Sequence, residues 1–347
     1  MSSLIREGER SEQVADVQAR LRSLGIEVED ETGFFGPATA RAVRSFQQRR
    51  DILADGIVGP HTWSELVEAG WRLGDRGLYL KNPPMRGDDV QVLQERLNAL
   101  GFDAGREDGI FGRDTDIAIR SFQREYGVPE DGIFGPMTHA ALVGLRADRP
   151  DTSAALREEL RRLERASIAQ ALVMIDPGHG GDDPGEKGPD GGVEADTCWH
   201  LATLLAERLI VAGGRARFTR METEGPDPTE RARRANDIGA DLFVSIHLNT
   251  NESRSAEGAS TYHFPRSKAG ALLAERVQEQ LASLGCRDCR SHARSYPILK
   301  ETRMPAVLVE PAFITNPDEA KKLADPNFKS AVGDAIALGV LRYYETV

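Results

Sequence analysis

The sequence predicts an α/β domain, with a mostly parallel sheet flanked by helices, preceded by two all-α three-helix modules. Two patterns predict it. Beyond residue 171, short apolar runs of β type alternate with stretches of helical periodicity, as in parallel strands joined by crossover helices. Before residue 147, one helical pattern is written twice at a constant offset, so that Val14, Gln18, Leu21 and Gly25 recur as Val90, Gln94, Leu97 and Gly101. A chain of 347 residues has room for these pieces as separate domains, and its 40% hydrophobic and 29% charged content suits a globular protein in water.

The first module is expected over residues 5–70. Its first helix carries Val14, Val17, Leu21 and Leu24 at helical spacing and stops at Gly25. A second helix surrounds Ala42, Val43 and Phe46. The turn Asp55-Gly56-Ile57-Val58-Gly59-Pro60 then leads into a third, which carries Trp63, Leu66 and Val67. The second module, residues 87–146, repeats Arg44-Ser45-Phe46-Gln47 as Arg120-Ser121-Phe122-Gln123 and ends in the matching turn Asp131-Gly132 to Gly135-Pro136. Leu21, Phe46, Leu97 and Phe122 read as core, and the glycines and prolines of the turns need only backbone reasons. Residues 71–86 are too apolar for a loose tether and read as a connector packing the modules together. Residues 147–170 read as a linker whose charged run, Arg157 to Arg165, is a solvated helix face.

The α/β domain is expected over residues 171–347, with strands near 172–176, 216–219, 242–246, 260–263 and 306–309. Helices are expected near 194–211, 229–238, 268–284 and 331–344. Three of these strands end in groups suited to a metal site. The run Val173-Met174-Ile175-Asp176-Pro177-Gly178 delivers His179 into a glycine-rich turn. Leu242 to Ile246 delivers His247, and Ala306 to Val309 delivers Glu310. Glu194, after a Gly/Pro/Asp-rich loop, opens a helix. Open α/β sheets place their sites at the carboxyl ends of the strands. Two histidines and one carboxylate form a ligand set that leaves a fourth zinc position open.

These motifs, in this order, resemble the zinc-dependent N-acetylmuramoyl-L-alanine amidases of the amidase-3 type. Asp176-Pro177-Gly178-His179-Gly180-Gly181, Glu194, Ser245-Ile246-His247-Leu248-Asn249 and Val307-Leu308-Val309-Glu310 carry the likeness, which spans Leu172 to Tyr344. Arg220, the run Glu230 to Asn236 and Gly258-Ala259-Ser260-Thr261-Tyr262 fall in the family's order too. The resemblance implies Zn2+ held by His179, Glu194 and His247, with Glu310 as the catalytic carboxylate; Glu310 as ligand and Glu194 as base is the alternative. Asp176 and Asn249 are expected to support the site by hydrogen bonds. Arg220 and Arg231 are expected either to meet a substrate carboxylate or to form surface salt bridges. The departure from the family is Pro311-Ala312, where a glycine is more usual. The short interval from His247 to Tyr262 leaves no room for the inhibitory helix some members insert. The N-terminal repeat resembles the three-helix peptidoglycan-binding module.

The expected substrate is therefore peptidoglycan or a muropeptide, cut between the lactyl group of N-acetylmuramic acid and L-alanine. A net charge of −11 argues against nucleic acid. No run approaches a membrane span, and the polar start Met1 to Arg10 does not read as a signal peptide, so a cytoplasmic location is expected unless export takes a non-standard route. Cys198, Cys286 and Cys289 are expected as reduced, unliganded thiols. The domain order also resembles the actinobacterial CwlM-type proteins, which implies an alternative: a cytoplasmic regulator of peptidoglycan precursor synthesis, acting through cell-wall synthesis proteins with little or no hydrolysis.

Overall fold

The computed structural model describes residues 4–145 and 167–345. The expected helix in the charged linker lies outside the described residues. Those residues form two compact units, one on each side of the linker.

The first unit is all-α. Its first module holds α1 (Glu12–Ser23), α2 (Pro37–Arg49) and α3 (Pro60–Glu68); its second holds α4 (Asp88–Ala99), α5 (Arg113–Glu125) and α6 (Pro136–Val143). Leu21 and Phe46 lie in one core and Leu97 and Phe122 in the other. The repeated glutamines explain much of the repeated sequence. Buried Gln47 donates to Asp55 Oδ1, the Ile57 carbonyl and Thr62 Oγ1 at 2.8–3.1 Å, and its Oε1 accepts the Gly56 N–H at 2.8 Å. Gln123 makes the same four bonds to Asp131, Ile133, Thr138 and Gly132. Each amide thereby satisfies a turn that would otherwise bury unpaired backbone groups.

The connector differs from expectation. Leu78 and Met85 belong to the second module's core, and Leu78 pairs through its backbone with Phe134 as Ile5 pairs with Val58. Leu78 is thus the counterpart of Ile5, hidden from the repeat because the spacing from there to the next matching residue has changed. The modules also meet directly. Arg50, at the end of α2, donates to Glu65 Oε2 at 2.8 Å and to both oxygens of Asp88 at 2.9 and 3.0 Å.

The second unit is built on a six-stranded mixed sheet, ordered β2-β1-β3-β6-β4-β5. Its strands are β1 (Leu172–Pro177), β2 (Arg215–Phe218), β3 (Leu242–Ile246), β4 (Ala259–His263), β5 (Asp288–Ala293) and β6 (Ala306–Glu310). All neighbours run parallel except β4 against β6. Side chains alternate across it with period 2. Val173, Ile175, Val244 and Val307 enter one core with α7 (Glu194–Val211), α9 (Lys268–Ser283) and α12 (Pro326–Glu345). Met174, Phe243 and Leu308 face the other way, against α8 (Pro228–Asp237) and α10 (Pro297–Glu301). A further helix, α11 (Pro317–Ala324), follows β6. β5, α10 and α11 were not expected from sequence. No helix among the described residues is long and apolar enough to cross a membrane.

Candidate active site

β1, β3 and β6 are consecutive and parallel, so their carboxyl ends lie side by side. The backbone continues the ladder just far enough to fix the residues beyond. Gly178 N–H donates to the Ile246 carbonyl and His247 N–H to the Val309 carbonyl, both at 2.9 Å. His179 follows in the left-handed region at φ +54°, a conformation disfavoured for a residue with a side chain. Two glycines make room for the imidazoles. A Cβ on Gly178 would lie 2.5 Å from the His247 ring, and one on Gly185 would lie 2.7 Å from the His179 ring.

Glu194, the first residue of α7, is placed by reciprocal bonds. Its N–H donates to the Glu186 carbonyl and its Oε2 accepts the Glu186 N–H, both at 3.0 Å. Its Oε1 accepts the Leu248 N–H at 2.9 Å and stands 3.2 Å from His179 Nε2 and 3.3 Å from His247 Nδ1. Ligand atoms of the three residues all lie within 4.8 Å of one another. Tetrahedral bonds of about 2.0–2.1 Å would separate neighbouring ligands by about 3.3 Å, so this donor set fits a zinc-sized ion. Asp183 Oδ2 meets His179 Nδ1 at 2.8 Å, fixing that ring and leaving Nε2 for a metal. Sequence reading missed Asp183.

The electrostatics suit a cation. Burial alone would raise the Glu194 pKa, but the two imidazoles and the Leu248 and Glu186 N–H groups hold it well below the usual carboxylate range. The hydrogen bond to Glu194 raises His179 against its partial burial, with Asp183 adding to the effect. Without a metal, His179 therefore keeps its proton to a higher pH than free imidazole, and an incoming ion must displace it. Zinc affinity is expected to be full above that raised pKa and to fall about tenfold per pH unit below it. Chelator competition between about pH 8 and pH 5.5 checks this; a flat profile would contradict it.

Glu310 ends β6 beside His247. Burial raises its pKa, partly offset by the charge of His247 and by hydrogen bonds from Tyr262 and Ser260, while Glu194 pushes it further up. Ser260 Oγ lies 3.3 Å from Glu310 Oε2 and accepts from Asn249 Nδ2 at 3.2 Å. Asn249 thus touches Glu310 through Ser260, which stands in a run shared with the family but was given no role from sequence. Burial likewise raises the Tyr262 phenol, and pushes that of Tyr296 up to about 12.

Arg220 and Arg231 are neither surface ion pairs nor open to a substrate; they are 2% and 6% exposed. Arg220 donates to the carbonyls of Pro177, Gly178, Met221 and Glu222 at 2.9–3.1 Å. Arg231 donates to those of Pro177 and His179, both at 2.6 Å, and to Asp176 Oδ1 at 3.0 Å. Asp176 also accepts from Thr219 at 2.5 Å and Ser245 at 2.7 Å. Together they clamp the turn that presents His179. Breaking a buried pair from one side costs about 3–5 kcal/mol. Arg231→Met is therefore expected to lower unfolding stability by that order, read in a urea titration; a loss below about 1 kcal/mol would show the clamp to be idle.

The three cysteines are free thiols. His61 and His139 are half-buried, and His139 packs edge-on against Phe134. Between β3 and β4 the chain forms no helix, as the short interval led us to expect.

Comparison with known proteins supplies a family. Residues 173–342 match the N-acetylmuramoyl-L-alanine amidase model, and residues 10–66 and 86–142 each match a putative peptidoglycan binding domain. N-acetylmuramoyl-L-alanine amidase CwlM of Mycobacterium tuberculosis is 40% identical, over 98% of this chain and 89% of that protein. N-acetylmuramoyl-L-alanine amidase LytC of Bacillus subtilis is 37% identical, over 51% of this chain and 36% of that protein. Among solved structures, N-acetylmuramoyl-L-alanine amidase AmiC2 of Nostoc punctiforme matches with a TM-score of 0.49 at 29% identity, covering 52% of this chain and 99% of that one.

Proposed function

Because the chain belongs to the N-acetylmuramoyl-L-alanine amidase family and carries two peptidoglycan-binding domains, we propose that it is a zinc-dependent hydrolase of the lactyl–L-alanine amide in peptidoglycan or soluble muropeptides. The convergence of His179, Glu194 and His247 beside Glu310 carries the proposal. Bound there, zinc would polarise the amide carbonyl and make water acidic near neutral pH.

The protein's own groups do the rest. His179 and His247 offer neutral nitrogens, and Glu194 offers a carboxylate kept ionised by its donors. Glu310 removes a proton from the attacking water and returns it to the departing nitrogen. Burial shifts its pKa upward, the direction that favours a carboxyl able to take up a proton and give it back. The alternative exchange of roles is disfavoured, because Glu194 is the carboxylate that touches both imidazoles. The tandem modules would bind the glycan or stem peptide of the wall. A cytoplasmic location, with soluble precursor or recycled muropeptide as substrate, belongs to the same proposal.

The retained ligand set favours hydrolysis over a purely regulatory role exercised through cell-wall synthesis proteins. Digestion of purified muropeptides by zinc-loaded protein, followed by mass analysis, is the test. Release of intact stem peptide with a free L-alanine amine is the expected result; unchanged muropeptide, or cleavage within the peptide, would refute it.

A further inference from the structure

We propose that Ser260 is a positioning residue for Glu310, holding one carboxylate oxygen so that the other faces the reacting water; this rests on the hydrolase role proposed above. The single antiparallel pairing in the sheet makes the contact possible. β4 runs against β6, so its first residues arrive at the same end of the sheet as Glu310, and Ser260 stands directly opposite Glu310 in the register. Period-2 alternation puts Tyr262 on the same face.

Ser260 is buried, and its hydroxyl meets three partners: Asn249 Nδ2 at 3.2 Å, Tyr262 OH at 3.2 Å and Glu310 Oε2 at 3.3 Å. A hydroxyl has one proton to give and two lone pairs. The Asn249 amide can only donate, and an ionised carboxylate can only accept. With Glu310 ionised, Asn249 donates to Ser260 Oγ, the Ser260 proton goes to Glu310 Oε2, and Tyr262 gives its single proton to the same carboxylate. Glu310 Oε2 is then pinned from the side of β4. Asn249 is itself anchored by backbone bonds to Ala312 and Ile314, both at 2.9 Å, which ties the hub to the segment beyond Glu310.

A serine that merely filled space between strands would act independently of Glu310; a positioning serine acts only through it. The test is therefore a mutant cycle of Ser260→Ala with Glu310→Gln, reading kcat, KM, zinc content and the melting of the metal-free protein. Ser260→Ala is expected to lower kcat about 10- to 100-fold with KM within about twofold. Zinc content and melting should stay unchanged, and the substitution should have no further effect in the Glu310→Gln background. Full kcat in Ser260→Ala, an equal loss in both backgrounds, or loss of zinc would overturn the positioning role. If Glu310→Gln itself kept wild-type activity, the hydrolytic role of Glu310 would fall first, and the positioning role with it.

Discussion

Glu310→Gln is expected to cut amide hydrolysis by about 10²–10⁴-fold while the purified protein keeps its zinc. The substitution preserves size and hydrogen-bonding shape at the end of β6 but removes the ability to take up a proton. No neighbouring carboxylate can stand in. Glu194 is committed to two imidazoles and two N–H groups, which hold it ionised far below neutral pH. Asp183 is bonded to His179 Nδ1. Because Glu310 is not among the three converging ligands, metal content should not change. Activity within tenfold of wild type would mean that the water is deprotonated by another group.

His247→Ala is expected to lower zinc affinity by about 10²–10³-fold and to abolish turnover at ordinary zinc concentrations. Complete zinc sites with four protein ligands bind with about 10–16 kcal/mol, so one ligand accounts for about 2.5–4 kcal/mol. The loss is compounded locally, because the ring also fills the space that glycine leaves at position 178. Asp183→Asn makes the instructive contrast. It removes the charge behind His179 and keeps the ligand, so only about a 10- to 100-fold loss is expected. Chelator competition measures both, and equal losses would show that ligand and supporting group had been misassigned.

The converging groups of the candidate site could be picked out from sequence because each ends or begins a regular element. An apolar run that stops at His179, His247 or Glu310 announces itself without knowledge of strand order. The groups that hold them were not legible, because they depend on non-local register. Ser260 stands in a run shared with the family, but nothing ties it to Glu310 until β4 is known to run against β6. Arg220 and Arg231 look like solvent-facing charges in polar segments, and only the fold reveals a cluster of carbonyls that needs their donors. β5 escaped for a different reason: Asp288-Cys289-Arg290-Ser291-His292-Ala293 is a polar edge strand with a register irregularity opposite β4. α10 is a single short turn, too brief for helical periodicity. The connector was misread because a change in spacing broke the repeat between Leu78 and the rest of its module.

Zinc K-edge absorption on the metal-loaded full chain tests the central claim most directly. Two imidazole nitrogens at about 2.0–2.1 Å with the remaining ligands oxygen is the expected shell. His179→Ala or His247→Ala should each remove one imidazole from it, if zinc is retained at all. Sulfur at about 2.3 Å, which would point to Cys286 or Cys289, or a shell unchanged by both histidine substitutions, would place the metal elsewhere and contradict the account.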